Sequence, residues 1–177
     1  MAEIKISELP AADPLDGSEE FPVVQSGQTR RATIDNATLH QGALVRLTAN
    51  QSIADNSATV VSWDAAEYDD LGFWDSGQPT RLTVPSGVSK VRVSSNVRWA
   101  NQSTGLRTAD HLKNGVIFRG MGVHRQPAAQ FSEHNIHSAV VEVVAGDYFE
   151  ARVHQTSGGT LDVQAHEATW FAIEVIE

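Results

Sequence analysis

The amino-acid sequence predicts an all-β protein, a sandwich or jelly roll, and two features of the chain support that prediction. Apolar and polar residues alternate with a period of two along several segments, as in strands that bury one face. Gly, Pro, Asn and Asp separate these segments at fairly even spacing, without an amphipathic helical pattern between them. Short strands in this arrangement are typical of two packed sheets.

The clearest strand covers residues 90–99, where Val91, Val93, Val97 and Trp99 share one face and polar residues occupy the other. The same period predicts further strands at 44–48, 58–63, 80–84, 115–119, 138–144, 149–154, 161–166 and 169–176.

The last predicted strand is apolar on both faces. Phe171 begins the set of alternate residues that faces the core, but the opposite face carries Trp170, Ala172 and Ile176. A strand of this kind is usually covered on both sides, and it promotes aggregation when it is exposed. We therefore expect these three residues to lie in an interface between copies of the subunit. Coverage by the N-terminal segment or by a loop is the alternative.

The sequence divides into residues 1–42 and residues 43–177. The first part is rich in turn formers and has too few large apolar residues to form a core. Within it, residues 21–25 and 29–34 flank Ser26-Gly27-Gln28 and predict a small β-hairpin. One helical turn is expected at 35–39 and a hinge at 40–42.

Composition excludes several classes of function. The chain has 22 acidic against 13 basic residues and a net charge of −9, which argues against binding to nucleic acid. It contains no cysteine, so disulfides, thiolate catalysis and cysteine-ligated zinc are excluded. No signal-peptide pattern and no membrane-length apolar run occur. We expect no membrane insertion. We also expect that the protein is assembled in the bacterial cytoplasm and released by lysis.

No catalytic motif stands out, and we expect neither an enzyme nor a cofactor. The sequence lacks the Gly-x-Ser-x-Gly, phosphate-loop and His-Glu-x-x-His patterns. Its densest acidic cluster is consistent with a solvated loop, a glycosidase carboxylate pair or a calcium site, and consists of Asp64, Glu67, Asp69 and Asp70. His134 and His137 would lie on opposite faces of a strand, so we expect no metal site there, although three copies of one histidine could meet on a trimer axis.

Two stretches resemble proteins of phage particles. Lys5-Ile6-Ser7-Glu8-Leu9-Pro10, followed by Phe21-Pro22-Val23-Val24-Gln25, resembles the N-terminal segment of phage tail fibres and tailspikes. In those proteins this end joins the virion. The resemblance implies a virion anchor made of Ile4, Ile6, Leu9, Phe21, Val23 and Val24.

The second resemblance covers residues 43–177. Pro85-Ser86-Gly87, Lys113-Asn114-Gly115, Ala145-Gly146-Asp147-Tyr148-Phe149 and the closing Trp170-Phe171-Ala172-Ile173-Glu174-Val175 are similar to C1q-like domains of phage origin. This resemblance implies a C1q/TNF-like jelly roll that forms trimers, with the C-terminal strand in the inner sheet near the three-fold axis.

Residues 108–112 and 124–137 do not follow that pattern, and we interpret them as variable loops, where recognition usually resides. Exposed aromatic rings beside polar groups are typical of sugar sites. Trp63 and Trp99 are expected in the core or an interface, and a core position competes with sugar binding at Trp74. The candidate receptor- or glycan-binding residues are Tyr68, Trp74, Asp75, His124, Arg125, His134 and His137.

Together these observations predict a homotrimeric fibre or head spike of a phage or gene transfer agent. Its N-terminal segment would bind other virion proteins, and its jelly roll would bind host surface polysaccharide. The alternatives are a structural cap, collar or decoration protein without a receptor, and a glycan-processing enzyme.

Overall fold

The computed structural model describes residues 20–33, 41–125 and 131–177, which form fifteen β-strands and no α-helix. No helix long and apolar enough to cross a membrane occurs in these ranges. The chain divides into two compact units, Met1–Leu39 and His40–Glu177. The functions assigned to the two parts of the sequence stay predictions.

In the first unit, β1 (Glu20–Gln25) and β2 (Gln28–Thr33) form an antiparallel hairpin. The φ angles of Ser26 and Gly27 are 53° and 75°, so the turn is of type I′, which matches the twist of the strands. The predicted hairpin is therefore present, with a turn of two residues instead of three. Three predictions lie outside the described residues: the helical turn at 35–39, the start of the hinge at residue 40, and the anchor positions Ile4, Ile6 and Leu9.

The second unit contains two antiparallel sheets. The eight-stranded sheet has the order β4 (Gln51–Ile53), β14 (Leu161–Val163), β8 (Lys90–Trp99), β15 (Trp170–Val175), β3 (Gly42–Arg46) and β6 (Ala65–Asp69), and β11 (Ser132–His137) and β12 (Val141–Glu142) also pair with β8. The five-stranded sheet has the order β10 (Val116–Arg125), β9 (Leu106–Lys113), β13 (Tyr148–Gln155) and β5 (Thr59–Val60), and β7 (Arg81–Thr83) pairs with β13.

The core of this unit is apolar and rich in aromatic rings. Trp63 and Trp99 are fully buried, as expected, together with Phe149 and Phe171. The rings of Trp63 and Phe171 stack with centroids 5.9 Å apart, and such pairs stabilise a core by roughly 0.5–1.5 kcal/mol beyond the burial of their area. Phe171 belongs to β15, so this stack fixes which face of the last strand points inward.

The interpretation of residues 108–112 and 124–137 as variable loops is wrong. The first range lies inside β9, and the second contributes the end of β10 and all of β11, apart from residues 126–130, which are not described. The alternation was missed because the inward positions are polar: Arg107, His111 and His134 are all fully buried. The guanidinium of Arg107 donates to the carbonyl oxygens of Thr104 and Gln102, at 2.8 and 3.3 Å.

Other predicted strands differ mainly in length. The strand at 90–99 is confirmed residue for residue as β8. The segment predicted at 138–144 is a strand only at β12, and the one predicted at 161–166 ends with β14. The short strands β4 and β6 were not predicted, since three to five residues carry too little periodicity.

One end of the sandwich is closed by the residues of two motifs in the C1q-like pattern. Asn114 and Gly115 have positive φ and form the β9–β10 turn. The Asn114 side chain donates to Asp147 (2.8 Å) and accepts from the Tyr148 amide (2.9 Å). Burial alone would raise the pKa of Asp147, but hydrogen bonds from Asn114 and Lys113 outweigh it and lower that pKa. The two loops are thereby held together through an ionised carboxylate.

The fold predicts an intolerance to substitution at Gly105. Its φ is +72°, and an added Cβ would lie 1.8 Å from the carbonyl oxygen of Thr156. Gly105→Ala should therefore lower the free energy of unfolding by at least about 2 kcal/mol, measured by urea denaturation. Gly159, which has open space around its Cα, is the matched control, and its change to Ala should alter stability by less than about 0.5 kcal/mol. Equal stability of the two variants would contradict the backbone geometry at Gly105.

Candidate functional site: the outer face of the eight-stranded sheet

The face of the eight-stranded sheet that points away from the core is here called the outer face. Five neighbouring strands each contribute one side chain to its middle row, and the strand register sets their order as Tyr68, Leu44, Ala172, Ser94 and His137. The three side chains in the middle of this row have no ionisable group. The centre of the face is therefore an uncharged strip made of Leu44, Ala172 and Ser94.

Charged side chains border this strip on both sides. On one side lies the row of Arg46, Trp170 and Asn96. On the other, Glu174 pairs with Arg92 across neighbouring strands, with 3.7 Å between nitrogen and oxygen. Charged groups thus border the strip, and its centre carries none.

The short side chains at the centre of the strip are almost closed off from solvent. Ala172 and Ser94 are only 5% and 9% exposed, although they face away from the core. Longer side chains flank them in the sheet, among them Trp170 and Leu44. The predicted interface residues Trp170 and Ala172 thus lie together on one face, and Ile176 lies just beyond β15 with 45% exposure. Their role in a subunit interface stays a prediction.

Tyr68 lies at the β6 edge of the outer face and is 43% exposed. It lines a recess of about 510 Å³ with Gln41, Gly42, Asp70 and Glu174. Partial burial, followed by the negative charges of Glu174, Asp70 and Glu67, raises the pKa of Tyr68. The phenol therefore stays protonated at neutral pH and remains a hydrogen-bond donor.

A larger cleft of about 770 Å³ opens at the end of the outer face away from Gly42. In the following text "the cleft" means this space. Its lining residues come from β3, β6, β15 and the loop before β15: Leu44, Arg46, Leu47, Thr48, Glu67, Ala165, His166, Glu167, Thr169 and Trp170. None of its charged residues was predicted to bind a ligand, although Glu67 was noted in the acidic cluster.

Three carboxylates of the acidic cluster organise loops. Asp64 accepts a hydrogen bond from the Thr48 amide at 2.7 Å, and Asp70 accepts one from Gly42 at 2.9 Å. Asp69 accepts three, from the consecutive amides of residues 72–74 at 2.8–3.0 Å. These contacts give the three aspartates a structural role, and Asp64, Glu67 and Asp70 are also exposed to solvent. Only Glu67, among the four, makes no hydrogen bond to a described residue.

Tyr68 and Trp74 belong to different sheets. Trp74 is half-buried, packs against the core and pairs through its backbone with Leu82 of β7, in the other sheet. Its indole nitrogen donates to the carbonyl oxygen of Pro79 at 3.4 Å. Asp75 accepts the Gly77 amide at 2.8 Å within a turn. The core interpretation of Trp74 fits this position better than sugar binding does.

The candidate residues of β11 differ in burial. His134 is fully buried, so its assignment to ligand binding is wrong, because the two-residue alternation of β11 turns it inward with Ile136. His137 is exposed on the outer face, opposite Ser94. His124 and Arg125 lie in β10, opposite Arg107 and Leu106, and their side chains are not among those described.

A buried serine–histidine pair lies between the sheets. Ser95 Oγ and His111 Nε2 are 2.8 Å apart, and both residues are fully buried. The spacing suits a nucleophile and its base, but no substrate reaches atoms that are closed off from solvent. Burial in the core, followed by the effect of His137, lowers the pKa of His111 to about 4. The imidazole is therefore a neutral hydrogen-bonding element of the core.

The low pKa of His111 predicts acid sensitivity. An unfolded histidine titrates near pH 6.5, so below that pH the unfolded state takes up a proton that the folded state binds only near pH 4. Stability should fall by up to about 3 kcal/mol as the pH drops from 6.5 to 4. Urea denaturation between pH 7 and 4.5 measures this loss. The His111→Gln variant should be less stable than the wild type at pH 7, but its free energy of unfolding should fall less steeply as the pH drops. An unaltered pH dependence in the His111 variant would refute the assignment.

Comparisons with known proteins bear on the fold. No protein-family model matches the chain, and a search of curated proteins found no match. Among solved structures, murine APRIL at pH 5.0 is similar with a TM-score of 0.56 and 12% identity, over 78% of this chain and 100% of that one. The Eiger TNF from S. frugiperda is similar with a TM-score of 0.53 and 11% identity, over 78% of this chain and 93% of that one. The fold is thus a TNF-like jelly roll, as the C1q/TNF-like resemblance implied.

Proposed function

We propose that the chain is a homotrimeric recognition protein, a fibre or spike of a phage or gene transfer agent, whose second unit binds host surface polysaccharide. The observation that supports this most directly is the uncharged strip of Leu44, Ala172 and Ser94 in the middle of the outer face. Strands with an apolar outward face are usually covered. A second and a third copy of the chain are the cover that the C1q/TNF-like fold favours.

The charged groups on the β8–β11 side of the outer face are paired within the chain. Arg92 pairs with Glu174, and Arg98 pairs with Glu133 of β11, so this edge carries both signs of charge. The uncharged strip is therefore the part of the face that a second copy would cover, and a heterologous contact of this kind closes into a ring when the rotation allows it. Three-fold closure is what the C1q/TNF-like resemblance implies.

The N-terminal hairpin supports attachment to a particle. A hairpin of two strands is marginally stable by itself in water. Val24 in β1 is 76% exposed, and Phe21 and Val23 are half-buried. Apolar side chains on a small hairpin are suited to packing against a larger protein. Together with the tail-fibre-like pattern of residues 4–35, this supports a virion location for the chain.

Association through the outer face predicts a change in mass on substitution. The wild-type protein should sediment at three times the 19.2 kDa of the chain, and Leu44→Asp should reduce this to the monomer, because an unpaired charge would be buried in each contact. Ile117→Asp is the matched control, because Ile117 is 55% exposed on the five-stranded sheet, and its mass should stay trimeric. A monomeric wild type at high concentration would refute the trimer.

Polysaccharide recognition predicts adsorption to cells. The fluorescently labelled full chain should bind whole bacteria of the lineage that carries the gene. Mild periodate, which cleaves the vicinal diols of surface glycans, should remove that binding, whereas protease treatment of the cells should leave it. Several linked sites give measurable avidity even when each is weak, so Leu44→Asp should also reduce adsorption. Binding that survives periodate, or no binding at all, would favour the structural cap or decoration protein.

A further inference from the structure

We propose that the cleft beside Trp170 is a binding site for a neutral hexose unit of a polysaccharide. This inference rests on the proposed function and assigns it a place in the fold. The cleft holds about 770 Å³ and combines one aromatic ring with a guanidinium, two carboxylates and an imidazole. Its volume is within the usual range for small-molecule sites.

One wall of the cleft is held in place before any ligand arrives. The amide of Ala165 donates to Asn50 at 2.8 Å, which joins the loop before β15 to the loop after β3. The side chain of the buried Thr169 accepts the amide of Arg98 in β8, at 3.2 Å. The Ala168 carbonyl oxygen accepts a hydrogen bond from Asn96. A wall fixed in this way loses little conformational entropy when a ligand binds.

A β-bulge brings Glu67 into the cleft. Leu44 pairs with Tyr68, and the next residue, Val45, pairs with Ala66, so Glu67 is an extra residue without a partner in β3. Bulges of this kind change the direction of a side chain and are frequent beside functional sites. The carboxylate of Glu67 makes no hydrogen bond to a described residue, unlike the other three carboxylates of the acidic cluster. Its hydrogen-bonding capacity is available to a ligand.

Two further charged side chains in the cleft are similarly available. Arg46 and Glu167 are both exposed and line the cleft with Glu67. Neither forms an ion pair or a side-chain hydrogen bond with the described part of the chain. His166 Nδ1 accepts the Ala168 amide at 3.0 Å, so a neutral His166 carries its proton on Nε2 and can donate it to a ligand.

This set of groups fits a neutral sugar. An indole packs against the apolar C–H face of a pyranose, as aromatic rings do against apolar surfaces. The carboxylates of Glu67 and Glu167 accept hydrogen bonds from hydroxyls, and Arg46 donates to ring or hydroxyl oxygens. Because two carboxylates face one guanidinium, a uronic acid would be repelled. The chemistry therefore selects hexoses without a carboxyl group.

The cleft and the uncharged strip share Leu44 and Trp170 at their border. A substitution at either residue would confound ligand binding with association. The test therefore uses the exposed carboxylates: a Glu67→Gln, Glu167→Gln double variant keeps size and hydrogen-bonding atoms but removes both charges. The matched control is Glu142→Gln, an exposed carboxylate on β12, outside the cleft lining.

Saturation-transfer NMR of the full chain measures binding of methyl α-glucoside, methyl α-mannoside, methyl α-galactoside, methyl α-N-acetylglucosaminide and methyl α-glucuronide. At least one neutral glycoside should show saturation transfer, and the glucuronide should show less. The double variant should weaken the strongest interaction by about tenfold, as expected for loss of a charge-assisted hydrogen bond. Glu142→Gln should bind as the wild type does, and all variants should keep the wild-type mass.

Failure of this inference is distinguishable from failure of the proposed function. If none of the neutral glycosides binds, or if the double variant binds as well as the wild type, the cleft is not the sugar site. The double variant could also adsorb to cells as the wild type does, while periodate treatment removes that adsorption. This result would rule out the cleft as the sugar site but would support polysaccharide binding by the chain. The wild type could instead bind a glycoside through the two carboxylates but fail to adsorb to cells. This result would support the cleft as a sugar site and contradict the proposed function.

Discussion

The two-residue period of β15 is the constraint on which the other features of the second unit depend. β15 lies between β8 and β3 in the eight-stranded sheet, and the stack of Phe171 on Trp63 sets which of its residues face inward. A slip of one residue in register would exchange the two faces, placing Trp170 and the charged Glu174 in the core. The uncharged strip and the Trp170 side of the cleft are thus consequences of the packing that stabilises the core.

The sequence predicts elements well where inward positions are apolar and poorly where they are polar. β8 was predicted residue for residue because valines and Trp99 mark its buried face. β9 and β11 were missed because Arg107, His111 and His134 occupy inward positions. Arg107 is satisfied by carbonyl oxygens of the loop just before β9, and His111 by Ser95 of β8. Periodicity arguments assume that a buried residue is apolar, and this assumption fails when a buried polar side chain has a hydrogen-bond partner inside the fold.

The candidate site depends even more on long-range pairing. Composition marks Asp64, Asp69 and Asp70 as an acidic cluster, but the amides they accept become visible only when the loops are placed. The bulge that exposes Glu67 exists only relative to β3. The loop before β15 becomes a wall of the cleft through hydrogen bonds to residues far away in the sequence. The outward residues of β15, in contrast, follow from local alternation, which is why Trp170 and Ala172 could be singled out.

Placing association and recognition on one sheet face has a physical rationale in the proposed spike. An exposed apolar sheet face favours aggregation, and surrounding charges oppose it. Arg46, Arg92, Glu67 and Glu174 surround the strip and would oppose such association of a free subunit. Two of them, Arg46 and Glu67, form no ion pair with a described residue and line the cleft, where a ligand with hydroxyl groups would satisfy them. Residues that oppose aggregation before assembly would thus serve recognition after it.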